Sequence, residues 1–308
     1  MPVAKPASQA DVYRLTQSGE VQAAALPPLL VQADKIAASV ILGAHGRRAA
    51  GPGESFWQYR PYSFGDSTQR VDWHRSAKGG GVFIRENEWE SANTLWVWAN
   101  TGPRMRFKSH LAQTSKADRA RLLAVAAACL AVRGHERVGA LGAPRRAAHG
   151  RASLVKVAEW LAGTHEEQVP QAQQLQRRAA VLLVSDFLEP LEELRPHLAR
   201  LAEAGLKGHL VQIADPAEET LPYDGRVEFL GVDRKINYLS QRTENLRAAY
   251  VSAYTAHRDG LRDLSRSLGF SFTVHRTSEQ PTPCLMALHA QISGTRQVSV
   301  RASAEASA

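Results

Sequence analysis

The sequence predicts an α/β protein built on an open, doubly wound, mostly parallel sheet, preceded by a small N-terminal helix and a β-rich segment. Three observations predict it. From Thr94 onward, short apolar runs alternate with longer stretches of helical period, the pattern of repeated βαβ units. The run Ala180 to Val184 is apolar without interruption, as in a strand covered by helices on both faces. With 308 residues and 44% hydrophobic content, the chain is long enough to close a sizeable core.

Between Pro28 and Gly43, Leu29, Leu30, Ala33, Ile36, Ala37, Val40 and Ile41 recur at helical spacing. Asp34 and Lys35 fall off that stripe, so a helix packed on one side is expected. Gly43 to Gly53 is basic and glycine-rich and reads as a loop. Phe56 to Arg85 is expected to be extended, broken at Gly65-Asp66 and at Gly79-Gly80-Gly81. Trp57, Trp73, Trp89, Trp96 and Trp98 crowd this part. Such rings either form a binding platform or close the junction between a small β layer and the main sheet. Strands follow at Leu95 to Ala99, Arg137 to Leu141, Ala180 to Val184, His209 to Ile213 and Phe270 to Val274. The expected helices are Asp118 to Val132, one capped by Ser153 and running through Leu161, Leu191 to Ala204, Glu244 to Leu268 and Pro283 to Ile292. Arg226 to Leu230 and Lys235 to Leu239 read as short extra strands. The organisation is therefore residues 1–27 as a disordered segment, 28–93 as helix plus β-rich region, 94–293 as the α/β domain and 294–308 as a disordered tail.

Composition narrows the function classes. A formal charge of +8 and a pI near 9.7 admit an anionic partner. The positive charge is mostly arginine, however, scattered in pairs such as Arg47-Arg48, Arg145-Arg146 and Arg177-Arg178, which speaks against a nucleic-acid face. Cys129 and Cys284, the only cysteines, lack a CxxC neighbour, so zinc and redox motifs are excluded. No run reaches the ~18 apolar residues of a membrane span, and the N-terminus has no basic start followed by an apolar core. A cytoplasmic protein is expected. Glycine fingerprints, Walker A lysines, HExxH and G-x-S-x-G are absent, so no cofactor is expected.

The most informative stretch is Arg60-Pro-Tyr-Ser-Phe-Gly-Asp66 with Arg70-Val-Asp-Trp-His-Arg-Ser-Ala77. Gly65-Asp66 reads as a turn, and Arg70 and Asp72 share one face of a strand while Trp73 takes the other. Two readings stand: a polar recognition surface, or an arginine–carboxylate network that pins a hairpin to the core. The spacing of Arg60, Tyr62, Gly65, Asp66, Arg70, Asp72, Trp73 and Ser76 resembles the signature of the domain of unknown function 58 family. Val184-Ser-Asp-Phe-Leu188, the stripe Glu244, Arg247 and Tyr250, and His275-Arg-Thr277 agree with it, so the resemblance runs from about Leu29 to Ile292.

The resemblance implies a von Willebrand factor A-like fold and association with a MoxR-type AAA+ ATPase. Such a fold places a divalent cation at the carboxyl ends of the first and central strands, held by an Asp-x-Ser-x-Ser loop of hard oxygen ligands. Aligned on Met105 and Phe107, those positions here are Asn100, Gly102 and Arg104, with Asp186 after the central strand. An amide, a glycine and a permanent cation replace the ligands, so a degenerate site without metal is expected. The guanidinium of Arg104 is expected beside Asp186, with Arg106 or Lys108 as alternatives and solvent as the bland outcome. The expected function is a non-enzymatic interaction module, an adaptor or co-chaperone of the ATPase acting on a client protein. The alternative is a metal-dependent ligand binder or hydrolase using Asp66, Asp72, His74 and Asp186.

Overall fold

The computed structural model describes residues 28–41, 56–61, 76, 82–87, 94–163, 169–170, 175, 179–231 and 237–292, with the backbone alone for 56–61 and 83–87. Tyr62, Gly65, Asp66, Arg70, Asp72, Trp73 and His74 lie outside these residues, as do both terminal segments. Arg60 lies on the first strand, and Ser76 is helical and half-buried.

Helix α1 covers residues 28–41. Strands β1 (Phe56–Pro61) and β2 (Phe83–Asn87) pair antiparallel, with a bulge between Phe56 and Gln58. The main body then alternates β3 (Thr94–Ala99), α2 (Lys116–Arg133), β4 (Arg137–Ala140), α3 (Arg151–Ala162), β5 (Ala180–Ser185), α4 (Leu191–Glu203) and β6 (Lys207–Ala214). Next come α5 (Pro216–Thr220), a hairpin of β7 (Val227–Leu230) and β8 (Asn237–Ser240), α6 (Glu244–Ser267), β9 (Ser271–Arg276) and α7 (Pro281–Ile292).

Five strands form one sheet in the order β4-β3-β5-β6-β9, every neighbouring pair parallel. The chain leaves β3 for β4 on one side and returns across to β5 on the other. The strand order therefore switches between β3 and β5, and the crevice at their carboxyl ends is where doubly wound sheets bind ligands.

The two-residue period of the strands sorts side chains into two layers. Leu95, Val97, Ala99, Leu182 and Val184 meet α1, α2, α3 and α7. Trp96, Trp98, Val181 and Leu183 meet α4 and α6 instead. Helix α2 is buried along most of its length because the sheet and three helices surround it. Its alanines let α1 come close through Ala33 and Ala37, as the helical stripe there predicts. Gly208 serves the other layer: a Cβ there would stand 2.3 Å from the Phe270 ring, so the strand needs glycine at that position.

Two local expectations change, and one element is new. Gly150, not Ser153, precedes the first turn of α3, and the Ser153 hydroxyl instead donates to Val138 O at 2.8 Å, tying helix to strand. Helix α7 begins at Pro281, two residues before the expected start. Helix α5 is an element that the apolar periodicity does not reveal, since it is five residues long. Of the tryptophans, Trp96 and Trp98 are core residues under the sheet.

Candidate functional site

Strand β3 ends at Ala99, and Asn100 continues it by donating its backbone N–H to Val184 O at 2.8 Å. This puts the two strand ends of the switch point side by side. The Asn100 side chain then joins them: Nδ2 donates to Ser185 Oγ at 3.1 Å, and Oδ1 accepts from Gly102 N at 2.9 Å. Thr101 Oγ1 donates to Gly163 O at 3.0 Å. Phe187, directly after Asp186, takes a left-handed backbone with φ of 49°, costly for a bulky residue. Its N–H donates to Ser185 Oγ, its ring is buried, and its carbonyl lies 2.7 Å from His257 Nε2, so several contacts hold the turn that presents Asp186.

The cation beside Asp186 is Lys116. Its Nζ donates to Asp186 Oδ2 at 2.9 Å and to Glu218 Oε1 at 2.5 Å, and the lysine side chain is 1% exposed. Lysine 116 opens α2 just behind the Ser115 cap, which points the long side chain under the sheet's crest. Glu218 reaches it from α5, where Asp215 and Glu218 form a capping box. Glu218 Oε2 accepts from Asp215 N at 3.1 Å, while Asp215 accepts from Ala217 N and from Ser109 N, each at 2.9 Å. Burial strips water from the ammonium and pushes its pKa down. The Asp186 and Glu218 carboxylates outweigh that, and the Lys116 pKa is raised. Burial also raises the Glu218 carboxyl, with Lys116 pulling it back.

Arg104 thus differs from its expected place. Pro103–Arg106 winds as a single 3₁₀ turn that buries only Met105, and Arg104 Nη2 reaches Glu189 Oε1 at 2.5 Å. Of the four positions aligned with a metal site, Asn100 and Asp186 meet through Ser185, Gly102 closes the Asn100 turn, and Arg104 pairs elsewhere.

The network continues along the crest. Gln212 Nε2 donates to Asp186 O, Arg258 Nε donates to Gln212 Oε1, and Arg258 pairs with Glu219 at 2.6 Å. Arg276 pairs with Glu219 and Glu279. The stripe Glu244, Arg247 and Tyr250 anchors the loop after α5. Arg247 donates to Leu221 O and Tyr223 O at 3.0 Å each, Glu244 accepts from Gly225 N, and Tyr250 stacks on Tyr254. Burial, then Glu218 and Tyr223, push the Tyr250 hydroxyl up to about 12.

A divalent cation does not fit this donor set. It needs several oxygens with lone pairs to give. Here Asp186 and Glu218 spend theirs on an ammonium that only donates, and no cluster of three His, Cys, Asp or Glu suited to a metal occurs among the described residues. Lys116 and Glu218 are the functional residues that linear reading misses. Each left a signal. Lys116 stands on the same helical stripe as Ala120, Leu123 and Ala127, an odd place for a lysine, and Asp215-Pro-Ala-Glu218 spells a capping box with proline at its first position.

These elements define a doubly wound α/β protein whose switch point is closed by its own buried ion cluster. The chain belongs to the family described as Protein of unknown function DUF58, whose model matches residues 58–260. Uncharacterized proteins of Mycobacterium tuberculosis (Rv1480) and Mycobacterium bovis (Mb1516) are each 26% identical over 272 residues, covering 83% of this chain and 84% of theirs. Among solved structures, the conserved hypothetical protein BatB of Bacteroides thetaiotaomicron matches 66% of this chain and 100% of its own, at 10% identity and a TM-score of 0.38. An aerotolerance-related membrane protein of Bacteroides fragilis matches 66% and 99%, at 12% identity and 0.38. At those scores the two likenesses carry no argument. No helix among the described residues is long and apolar enough to cross a membrane.

Proposed function

We propose that this protein is a non-enzymatic interaction module, an adaptor or co-chaperone of a MoxR-type AAA+ ATPase. It uses a von Willebrand factor A-like sheet in which a fixed ammonium stands where the metal-ion-dependent adhesion site would hold a cation. One observation carries the reading: Lys116 Nζ lies fully buried between Asp186 and Glu218 at the carboxyl end of the switch-point strand. A cation bonded covalently to the chain cannot exchange, so the crest keeps one shape whatever the ion concentration. Asp186, Glu218 and Asp215 are all engaged by internal donors, which leaves them as scaffold and not as acids or bases. The ATPase as partner comes from the DUF58 resemblance alone; the family match itself names no partner.

Two measurements test it. Calorimetric titration with Mg²⁺ or Mn²⁺ is expected to show no stoichiometric site, and a site lost in Asp186→Ala would overturn the reading. Affinity-tagged full-length chain is expected to retain the MoxR-type ATPase of the same genome and to change its rate of ATP hydrolysis. Absence of both effects would remove the partner.

A further inference from the structure

The loop that leads to Lys116 also has an outer surface. Arg106, Phe107, Lys108, His110 and Leu111 are exposed along it, with no acidic residue among them. The loop is fixed from below, since Ser109 N donates to Asp215 Oδ2 at 2.9 Å and Lys116 N to Phe107 O at 3.2 Å. The Phe107 ring centroid lies 5.8 Å from Lys116 Nζ, so the ring roofs the buried ammonium, yet the residue remains 41% exposed.

From His110 a file of rings runs outward. Tyr223 follows at 6.4 Å, Phe229 at 6.3 Å beyond it and Tyr238 at 6.5 Å beyond that. Phe229 and Tyr238 are cross-strand partners in the β7–β8 hairpin and share one face, while Glu228, Leu230 and Leu239 take the other. Tyr238 is 52% exposed at the end of the file. Arg106 and Lys108 flank the strip, and neither pairs with a carboxylate among the described residues.

We propose that this strip is a docking surface for a partner protein that presents an acidic segment carrying apolar side chains. The proposal rests on the interaction-module reading and adds to it the surface and the chemistry of the partner. Aromatic rings with cations at their rim fit a ligand that is apolar along its centre and negative at its edge. A second copy of this chain fits poorly, because each carries a formal charge of +8. An anionic bilayer fits less well too. The rings lie file-wise against one another instead of standing out as wedges.

The test titrates the full chain into a fluorescein-labelled synthetic peptide of leucine and glutamate at helical spacing. A peptide with lysine replacing glutamate and vesicles of phosphatidylglycerol and phosphatidylcholine run in parallel. The acidic peptide is expected to bind and the basic one not. Affinity is expected to fall at least tenfold in Arg106→Glu/Lys108→Glu and in Tyr238→Ala, each with an unchanged melting temperature. Arg146→Glu/Lys156→Glu, which reverses two exposed charges elsewhere, is expected to keep it. Equal binding of both peptides, or equal losses in strip and control variants, overturns the proposal. So does vesicle binding lost in the strip variants, which assigns the surface to lipid. Failure of the strip alone leaves the Mg²⁺ titration and the ATPase retention unchanged, whereas failure of the interaction-module reading appears in those two measurements whatever the peptides do.

Discussion

Lys116 and Arg247 each tie a carboxylate down near the C-terminal ends of the strands, under opposite conditions. Lys116 and Asp186 are buried and Glu218 is 15% exposed, so three charges share a space that little water reaches. Arg247 pairs with Asp224, which is 78% exposed, and also holds two backbone carbonyls. The same kind of bond therefore carries different weight. In the open pair water competes and takes over when the bond breaks. In the closed one nothing replaces it, so losing one member strands the others. Variation is expected to be tolerated at the loop and not at the switch point.

The largest expected effect breaks the closed cluster. Lys116→Met keeps much of the side chain's volume and leaves Asp186 and Glu218 facing each other unpaired. Urea unfolding is expected to show a loss of about 3–5 kcal/mol. A loss below about 1 kcal/mol would place the ammonium outside the cluster's energetics.

A second effect measures burial that neighbouring carboxylates do not offset, since Glu279, 4.0 Å from His275, only partly counters it. Burial, and after it Lys207 for His209 and Arg119 for His275, push both imidazoles down to about 4 from the ordinary 6.5. Between those values the unfolded chain binds protons that the folded one refuses, so stability falls as pH falls. By pH 5.5 each ring is expected to cost about 1 kcal/mol. Glu218 works in the opposite direction, because its raised carboxyl pKa lets the folded state take a proton first as pH falls towards 4.5. Denaturation midpoints across pH 7 to 5, compared with His209→Gln/His275→Gln, are expected to show a flatter slope in the double variant. An unchanged slope would remove the rings from the account.

The smallest effects belong to the open pair. Arg247→Lys offers one ammonium in place of a fork serving three acceptors, and is expected to lose roughly 1 kcal/mol in thermal unfolding. Asp224→Asn is expected to lose less than about 0.5 kcal/mol, with the Leu221 and Tyr223 carbonyls still holding the guanidinium. A larger loss for Asp224→Asn than for Arg247→Lys would invert the comparison between the two regions.

Much of the fold was legible before any coordinates. The apolar run 180–184 falls in the sheet's central strand, the helix expected from Leu191 forms and buries Leu194, Leu198 and Leu201, and the extra strands near 227 and 239 form a hairpin. These follow from period and apolarity, which are local. The site was only half legible. Asn100 and Asp186 meet because β3 and β5 are neighbours, and their place at strand ends was readable from the alternating pattern. Arg104 was the cation that the family resemblance placed beside Asp186, yet a 3₁₀ turn sends it to Glu189.

What the chain determined by itself is a doubly wound sheet with a crest rich in fixed charge, since hydrophobic period and residue type need no partner to be read. What tertiary structure decided is which charge meets which. Lys116 lies 70 residues from Asp186 and 102 from Glu218, and sequence spacing carries no information across such separations. Only the packing of α2 and α5 against the strand ends brings the three together, and exclusion of water then gives the contact its strength.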